Sequence, residues 1–201
     1  MSKREDVDDA KRDRFEHEVL PHLDAAYNTA RWLLRGREGA DDVTQEALLR
    51  AYKYFDGFHG GQARAWLLRI VRNSCYQWLK RRARSETMSA GEDGEPSPAN
   101  ERALAEAGHR LPAPDARLVA AAEGRLVHAA LERLPIAFRE VLVMREVEEL
   151  DYKEIAAITD VPIGTVMSRL SRARALLKHN FAEATERGLI GHPARATALL
   201  R

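Results

Sequence analysis

Hydroxyl and guanidinium side chains gather on one face of the segment 163–178, and their chemistry suits nucleic-acid recognition. Thr165, Ser168 and Arg172 share this face, Arg169 lies beside them, and the segment holds no acidic residue. Arginine binds guanine edges and phosphates, and serine or threonine hydroxyls bond to base edges. The apolar residues recur at the spacing of the opposite helical face, and they are Val166, Leu170, Ala173 and Leu177. This pattern favours a helix that packs by one side and enters a DNA major groove with the other. On its own, it is equally typical of a surface helix with a solvated arginine face.

A second short helix is predicted just before this segment. Asp151 can cap it, Glu154 completes a capping box, and Ile155 and Ile158 give its buried face. Residues 159–162 then form a compact break that ends in a proline. Two short helices joined by a tight turn match a helix-turn-helix, which orients its second helix for groove entry. Helical hairpins that do not bind DNA share this outline, but the turn motif and the basic outer face together favour DNA.

A second nucleic-acid candidate is a basic block between Gln62 and Arg84, which a net charge of only +1 conceals. The block contains no acid, and its cations are Arg64, Arg69, Arg72, Lys80, Arg81, Arg82 and Arg84. Trp66 and Trp78 lie among them, and cations with aromatic rings bind unstacked single strands through charge and stacking. The alternative for both tryptophans is core packing, which is favoured more at Trp78. An acidic stretch follows at 86–106, and this asymmetry indicates a polyanion near the basic block.

The elements that position these residues are predicted to be helices throughout. Helical periodicity begins at Phe15, restarts at Asp41 or Asp42, where either carboxylate could cap a helix, and restarts again at about Ala63. No alternation of period two is long enough for a strand. The predicted fold class is therefore all-α.

Composition divides the chain into two small helical domains, 15–84 and 116–181. Residues 85–115 are rich in proline, glycine, serine and acids. Because they hold few large apolar side chains to repay ordering, we predict a flexible acidic linker there. Residues 1–14 are almost wholly charged and are predicted to be disordered, and 182–201 form a weakly patterned tail.

The composition argues against several other functions. Cys75 is the only cysteine, which rules out an internal disulfide and a multi-cysteine zinc site. The histidines are scattered without metal-ligand spacing, and no glycine-rich phosphate loop follows a strand. We therefore predict no metal, no cofactor and no catalytic residue. Neither a leader-like segment nor a membrane-spanning apolar run is found, so the chain is expected to be soluble and cytoplasmic.

Two blocks of the chain carry phrases that are specific in combination. The later block, LPIAFREVLVMREVEELDYKEIAAITDVPIGTVMSRLSRARALLK, contains LPxxxREVL, YxEIA and GTVxSRLxRAR in this order. The earlier block contains GADDVTQEALLRAYKYFDGF and ARAWLLRIVRNSCYQWLKRRAR. These blocks resemble region 4 and region 2, respectively, of the extracytoplasmic-function sigma factors of bacterial RNA polymerase. The resemblance leaves out both termini and the linker.

The resemblance implies two contacts with promoter DNA. The second helix of the turn motif would recognise the −35 element through Thr165, Met167, Ser168, Arg169, Ser171 and Arg172. The first domain would melt and read the −10 element, with the loop 58–63 receiving a flipped base. The residues implied there are Phe58, His59, Gly61, Gln62, Trp66, Arg69, Arg72, Asn73, Lys80, Arg81 and Arg82.

The resemblance also implies protein partners. These are core RNA polymerase, through the coiled coil of its largest subunit and its flap region, and an anti-sigma factor. The residues implied to dock on the coiled coil are Asp42, Val43, Gln45, Glu46 and Leu49. The acidic linker would thread into polymerase channels as a mimic of nucleic acid, or serve as a plain solvated tether. The implied function is that of a dissociable initiation subunit without catalysis of its own.

Two alternatives belong to other functional classes. A sigma-like decoy would bind an anti-sigma factor without engaging promoters, but it has no need of the basic faces at 62–84 and 163–178. A helix-turn-helix repressor would use its first domain to bind a ligand or to dimerise. A charged and aromatic helix is a poor lining for a ligand pocket, which disfavours the repressor.

Overall fold

The computed structural model describes residues 3–35, 39–89 and 129–186, and the regular elements within these ranges are helices. They are α1 (Lys3–Glu18), α2 (Leu23–Leu33), α3 (Ala40–Tyr54), α4 (Ala63–Ser89), α5 (Ile136–Glu146), α6 (Tyr152–Thr159) and α7 (Ile163–Glu186), with 3-10 turns at Leu20–His22 and Phe55–Gly57. No strand occurs within the described ranges, so the all-α prediction is confirmed there. The predicted linker beyond Ser89, the helical start at 116–128 and the tail beyond Glu186 lie outside the described residues.

The first domain is assembled on the apolar faces of α2, α3 and α4. Val43, Ala47 and Ala51 follow one another at a spacing of four along α3 and are at most 1% exposed. Leu67 and Val71 of α4 are fully buried against them. Removing a side chain as large as leucine from water stabilises a fold by about 1.5–3 kcal/mol. The small alanines of α3 let α4 approach closely, so this apolar side of the long basic helix is held against the first domain.

Residues 3–14 are helical, so the prediction that 1–14 are disordered is wrong for this part. The Lys11 ammonium lies 2.7 Å from the Asp56 carboxylate, and Arg14 donates to the Phe58 carbonyl at 3.0 Å. Phe15 is 6% exposed and belongs to the core of the first domain. Charge composition alone predicts disorder because it does not show these tertiary partners. The helix α1 is thus anchored against the loop that the sequence assigns to −10 DNA.

Two predicted helix ends also differ from the structure. Helix α3 begins at Ala40 with Gly39 as its N-cap, and no side chain caps it. Asp41 and Asp42 therefore lie in the first turn, where a negative charge still favours the positive end of the helix dipole. At the other side of the domain, α4 continues to Ser89 and takes up the first residues of the predicted linker.

Replacing Gly39 by alanine is expected to lower the free energy of unfolding by about 2–4 kcal/mol. Its φ of +111° disfavours a side chain, and an added Cβ would lie 2.9 Å from the Trp78 ring. Gly60→Ala is the matched control, because Gly60 has a φ of +89° and no heavy atom within 4 Å of its added Cβ. Chemical denaturation of both variants separates the cost of the backbone strain, which both share, from the cost of the contact with Trp78, which only Gly39→Ala has. Equal losses would show that the Trp78 contact contributes nothing.

The second domain places α7 on a core made with α5 and α6. The predicted capping box is confirmed, because Glu154 N–H donates to Asp151 at 2.8 Å and Asp151 N–H donates to Glu154 at 2.7 Å. Asp160 ends α6 in the left-handed region at φ +57°. The predicted apolar stripe of α7 is buried, and it consists of Val166, Leu170, Ala173 and Leu177. The turn thus fixes the direction of α7 and turns its polar face outward.

The two domains pack directly against each other, with α2 against α5 and α4 against α6. Leu68 of α4 is fully buried in the hydrophobic cluster of the second domain, and Trp32 and Ala65 pack against that cluster. Ile136 of α5 packs against the first core in return. The sequence predicts two domains but not this contact.

Candidate nucleic-acid interface

The outer face of α7 presents most of the residues predicted for −35 recognition. Ser168, Ser171 and Arg172 are exposed, and Met167 is 50% exposed. Thr165 is half-buried at the start of the helix, where its carbonyl accepts a hydrogen bond from the Ser168 hydroxyl at 3.0 Å. A hydroxyl bonded only to backbone keeps acceptor capacity for a base edge. The face can therefore offer one guanidinium and several hydroxyls to a groove.

Arg169 differs from the prediction, because it does not share the outer face. Its side chain is 25% exposed, and its Nη1 lies 3.4 Å from Oε1 of Glu140, whose side chain is fully buried. Glu140 belongs to α5, so this ion pair ties the reading helix to its own domain. A buried carboxylate needs such a partner. Arg169 is thus a residue that positions α7 in this arrangement rather than one presented to DNA.

The basic face of α4 is open over much of its length. Arg69, Asn73, Lys80, Arg81 and Arg82 are exposed. Two of them also contact other side chains of the first domain. Arg81 lies 3.0 Å from Glu46 of α3, and the Arg82 guanidinium lies 5.4 Å from the Trp78 ring centre. These contacts hold the cations on the surface without burying them, which suits attraction of a phosphate backbone.

The aromatic residues near the loop 58–63 form a packed group. Phe58 is 6% exposed, its ring stacks on Phe55 at 5.8 Å, and Trp66 tilts against it at 4.9 Å. The prediction that Phe58 contacts DNA is therefore corrected, because its ring is used in the core. Trp66 packs against the first core but is only partly buried, so the packing alternative accounts for part of this side chain and part of it stays accessible.

The loop itself presents polar and flexible groups to solvent. His59, Gly61 and Gln62 are exposed, and Gly60 and Gly61 have φ of +89° and +109°. The left-handed backbone explains why glycines occupy these two positions. Because α1 holds the Phe58 carbonyl through Arg14, the loop is anchored at its first residue and presents its next four residues outward.

Arg72 also differs from the prediction, since it is engaged by the second domain. Its Nε lies 2.8 Å from Glu140 Oε2, and the Tyr76 hydroxyl donates to the same oxygen at 3.0 Å. Burial alone would lower the pKa of Arg72, but the hydrogen bond and charge of Glu140 outweigh it and raise that pKa. Burial, together with Glu140, raises the pKa of Tyr76 to about 12. A single carboxylate of α5 therefore binds promoter-assigned arginines from both domains, Arg72 and Arg169.

Two further polar contacts cross between the domains. Arg64 at the start of α4 forms an ion pair with Glu148, whose side chain is 5% exposed. Burial raises the pKa of Glu148, and the hydrogen bond from Arg64 opposes that rise. Arg139 of α5 donates to the Leu33 carbonyl at 2.9 Å, at the carboxyl end of α2. A cation at that end interacts favourably with the helix dipole.

The residues assigned to polymerase docking lie on α3. Asp42, Gln45 and Leu49 are exposed, and Leu49 is 68% exposed although it is apolar. Glu46 is half-buried and accepts hydrogen bonds from Arg50 at 2.8 Å and Arg81 at 3.0 Å. Val43 is 1% exposed in the core, so the prediction that it contacts a partner is corrected. The other side of α3 is a largely polar surface that exposes Leu49, and Tyr54 is 60% exposed at the last residue of the helix.

The part of the chain that the structure describes offers little basis for other kinds of site. Within those residues, no group of three or more histidines, cysteines, aspartates or glutamates is placed to hold a metal ion. None of the described helices combines the length and the apolar character that a membrane span requires. The chemistry that the described residues offer is charge, hydrogen bonding and stacking.

Comparison with known proteins finds relatives for both domains. The family models described as Sigma-70 region 2 and Sigma-70, region 4 match residues 19–85 and 124–177. The chain is 33% identical over 134 residues to the ECF RNA polymerase sigma-E factor of Escherichia coli, covering 66% of this chain and 69% of that protein. It is 32% identical over 176 residues to the ECF RNA polymerase sigma factor SigE of Mycolicibacterium smegmatis, covering 88% of this chain and 65% of that protein. The matches thus span about two thirds of the length of these curated relatives.

Solved structures share the arrangement as well. The sigma factor RpoE in complex with the anti-sigma factor NepR from Bartonella quintana superposes with a TM-score of 0.65 at 29% identity, covering 84% of this chain and 97% of that one. CnrH in complex with the cytosolic domain of CnrY superposes with a TM-score of 0.57 over 86% of this chain and 90% of that one. At 23% identity, the second match shows the fold alone.

Proposed function

The chain belongs to the extracytoplasmic-function sigma factors of bacterial RNA polymerase, which direct promoter-specific initiation, and we propose that it reads −35 duplex with α7 and opens −10 DNA with α4. The observation that carries the −35 assignment is the outward face of Ser168, Ser171 and Arg172. That face lies opposite a fully packed apolar stripe, on a helix whose direction is fixed by a capped turn. Such a helix fits the major groove.

The −10 assignment rests on the open side of α4 and the loop before it. Arg69, Asn73 and the cations 80–82 are exposed, and they supply phosphate attraction along one helix. His59 and Gln62 project from the loop, where an unstacked base would meet them. In this proposal Phe58 supports the Trp66 ring from the core, and Trp66 offers the stacking surface.

The surface of α3 is proposed to dock on the coiled coil of the largest polymerase subunit. It combines exposed Asp42 and Gln45 with the exposed apolar side chain of Leu49, which has no place in the core. An apolar centre with a polar rim is the usual composition of a protein interface. Contact with the flap region is assigned to the second domain.

Asp42→Arg is expected to reduce assembly with core polymerase by tenfold or more while sparing the fold, since a reversed charge at a docking surface costs on the order of 1.4 kcal/mol or more. Asp24→Arg is the matched control, because Asp24 is also an exposed acid in the first turn of a helix. Both changes cost the same helix-dipole interaction. Co-purification of each variant with core polymerase measures the effect. Normal assembly of Asp42→Arg would remove α3 from the interface.

The proposed function also includes a protein regulator and a cytoplasmic location. The solved complex of a similar sigma factor with the anti-sigma factor NepR supports a protein regulator of the same class for this chain. We place its action in the cytoplasm, where transcription occurs, and assign it no reaction of its own. The open basic faces of α4 and α7 argue against a decoy, which would not need them.

Run-off transcription with core polymerase and a library of promoters tests this function. The expected result is a defined set of transcribed templates that share one sequence near −35 and another near −10. The matched control is core polymerase alone on the same library. Templates transcribed without a common sequence, or no transcription beyond the control, would contradict the proposal.

A further inference from the structure

We propose that Arg14 is a positioning residue for the −10 element: it fixes the direction in which the loop 58–63 leaves the first domain, and it thereby sets how sharply that loop discriminates between bases. The inference rests on the proposed function and deepens it, because it gives α1 a part in reading the −10 element. Its physical basis is the hydrogen bond from Arg14 to the Phe58 carbonyl, which joins α1 to the first residue of the loop.

This hydrogen bond controls the orientation of one peptide group. Arg14 Nη2 donates to the Phe58 carbonyl oxygen at 3.0 Å, and the two residues are 44 positions apart in the chain. Because a peptide group is planar, a held carbonyl also fixes the ψ angle of Phe58 and the N–H of His59. Phe58 is extended, with a ψ of 104°. The direction in which His59 leaves the core therefore depends on this contact.

The two glycines after His59 make the ends of the loop important. Apart from chain neighbours, no heavy atom lies within 4 Å of a Cβ added at Gly60 or Gly61. Glycine loses more conformational freedom on folding than any other residue, so a loop with two glycines relies on its ends for order. At the far end, the Gln62 carbonyl accepts a hydrogen bond from Trp66 N–H at 3.0 Å as α4 begins. At the near end, the Phe58 carbonyl relies on Arg14.

The guanidinium of Arg14 is itself held in place for this contact. It lies 4.5 Å from the centre of the Phe55 ring, and its Nε donates to Glu18 at 2.9 Å. Phe55 is 1% exposed, so the guanidinium rests on a side chain of the core. A planar guanidinium can lie on an aromatic ring and donate hydrogen bonds from its edge at the same time. Arg14 thus reaches the Phe58 carbonyl from a fixed position.

The other contact between α1 and this region, made by Lys11, is weaker. Lys11 Nζ lies 2.7 Å from the Asp56 carboxylate, but the Asp56 side chain is 74% exposed. An ion pair with a solvent-exposed partner contributes little, because water and salt screen it. The hydrogen bond of Arg14 is part-buried and joins a charged donor to a carbonyl, and such bonds are about twice as strong as neutral ones. Arg14 is therefore the residue of α1 that holds the loop.

Competition between two promoters in one tube tests this role. The complete complex with core polymerase transcribes a promoter selected from the library together with a copy that differs at one −10 position, and the two transcripts differ in length. The ratio of the transcripts measures discrimination between bases. A loss of folded protein lowers both transcripts equally and leaves the ratio unchanged, so a merely structural role does not move it. A second pair of promoters, which differ at one −35 position, gives an internal reference, because α7 reads that element in the proposed function.

Arg14→Ala is expected to lower the −10 ratio roughly three- to tenfold, the range of one ordinary net hydrogen bond, and to leave the −35 ratio unchanged. Arg12→Ala is the matched control and should change neither ratio. Arg12 is an exposed arginine of the same helix, and it pairs with Glu16 as Arg14 pairs with Glu18. An unchanged −10 ratio in Arg14→Ala, or an equal fall in Arg12→Ala, would overturn the proposal. Direct contact of Arg14 with a phosphate would give the unchanged ratio, since it weakens both promoters alike.

Motion of the loop in the free full-length chain gives the second readout. The NMR order parameters of the His59 and Gly60 amides are expected to fall in Arg14→Ala and to keep their wild-type values in Arg12→Ala. A lower −10 ratio with unchanged order parameters would show that Arg14 acts without the loop, which contradicts the proposal. The wild type separates this inference from the function on which it rests. Transcription without any −10 preference in the wild type would contradict the proposed −10 assignment, whereas a normal preference that Arg14→Ala retains would contradict the role of Arg14 alone.

Discussion

Replacing Arg172 by alanine is expected to weaken binding of the −35 duplex by about 1–3 kcal/mol, roughly a 5- to 150-fold rise in Kd. Arg172 is exposed on the outer face of α7, whereas Arg169 is engaged by buried Glu140. The loss reflects a guanidinium that reaches a base edge or a phosphate in the groove. Fluorescence anisotropy with the preferred duplex measures it, at a fixed salt concentration because phosphate contacts depend on salt.

Two controls distinguish the possible causes of this loss in affinity, which are a lower positive charge, a lost base contact and a lost phosphate contact. Lys153→Ala removes an exposed cation from α6 and should change the affinity by less than about 0.5 kcal/mol. A duplex with a scrambled −35 element separates base reading from phosphate contact. If Arg172 contacts a base, Arg172→Ala should no longer lower the affinity for the scrambled duplex, whereas the loss should persist if it contacts a phosphate. An unchanged affinity of Arg172→Ala for the preferred duplex would remove this residue from the contact surface.

The second large effect is expected at Glu140, where replacement by glutamine should lower the free energy of unfolding by about 3 kcal/mol. Its carboxylate is fully buried, and it receives hydrogen bonds from Arg72, Tyr76 and Arg169. Glutamine keeps the shape but leaves two half-buried guanidinium groups without a counter-charge. Chemical denaturation measures the change, because the midpoint shifts without a large change in slope when only stability is altered.

Variants of the side chains that bind Glu140 show how much each contact contributes to the loss in the free energy of unfolding. Tyr76→Phe removes one neutral hydrogen bond and should cost about 1 kcal/mol, whereas Arg72→Ala and Arg169→Ala leave the buried carboxylate short of a cation. Glu149→Gln is the matched control, since Glu149 is an exposed glutamate close by in the chain. If Glu140→Gln proves no more costly than Glu149→Gln, the ion pairs are screened and the description of this carboxylate as the centre of the interface is wrong.

Local patterns predicted the reading helix well. The capping box at Asp151, the break before Pro162 and the apolar stripe of α7 depend on neighbours within a few turns, so the sequence contains them directly. The same holds for the apolar side of α3. Family resemblance supplied roles but carried positions over without regard to burial, which is why Val43 and Phe58 were assigned to surfaces that the structure does not give them.

The contact between the domains could not be predicted, although its residues follow a pattern. Arg64, Leu68, Arg72 and Tyr76 recur at a spacing of four along α4 and all face the second domain. A second stripe on a helix is visible in a sequence, but its partner lies some 70 residues away in the chain. Likewise, the charges of α1 indicate disorder until Asp56 and the Phe58 carbonyl are known to bind them.

The central claim is that two separate helices of this chain read two separate promoter elements. Directed DNA cleavage tests it most directly, with a cleaving probe attached at Ser171→Cys of α7 or at Gln62→Cys of the −10 loop, in the complete complex with core polymerase and a transcribed promoter. Both positions are exposed. The account predicts cuts near −35 from the first probe and near −10 from the second. These positions are about 25 base pairs apart, which is on the order of 85 Å at about 3.4 Å per base pair. Cuts at one shared position, or none from either probe while transcription proceeds, would contradict it.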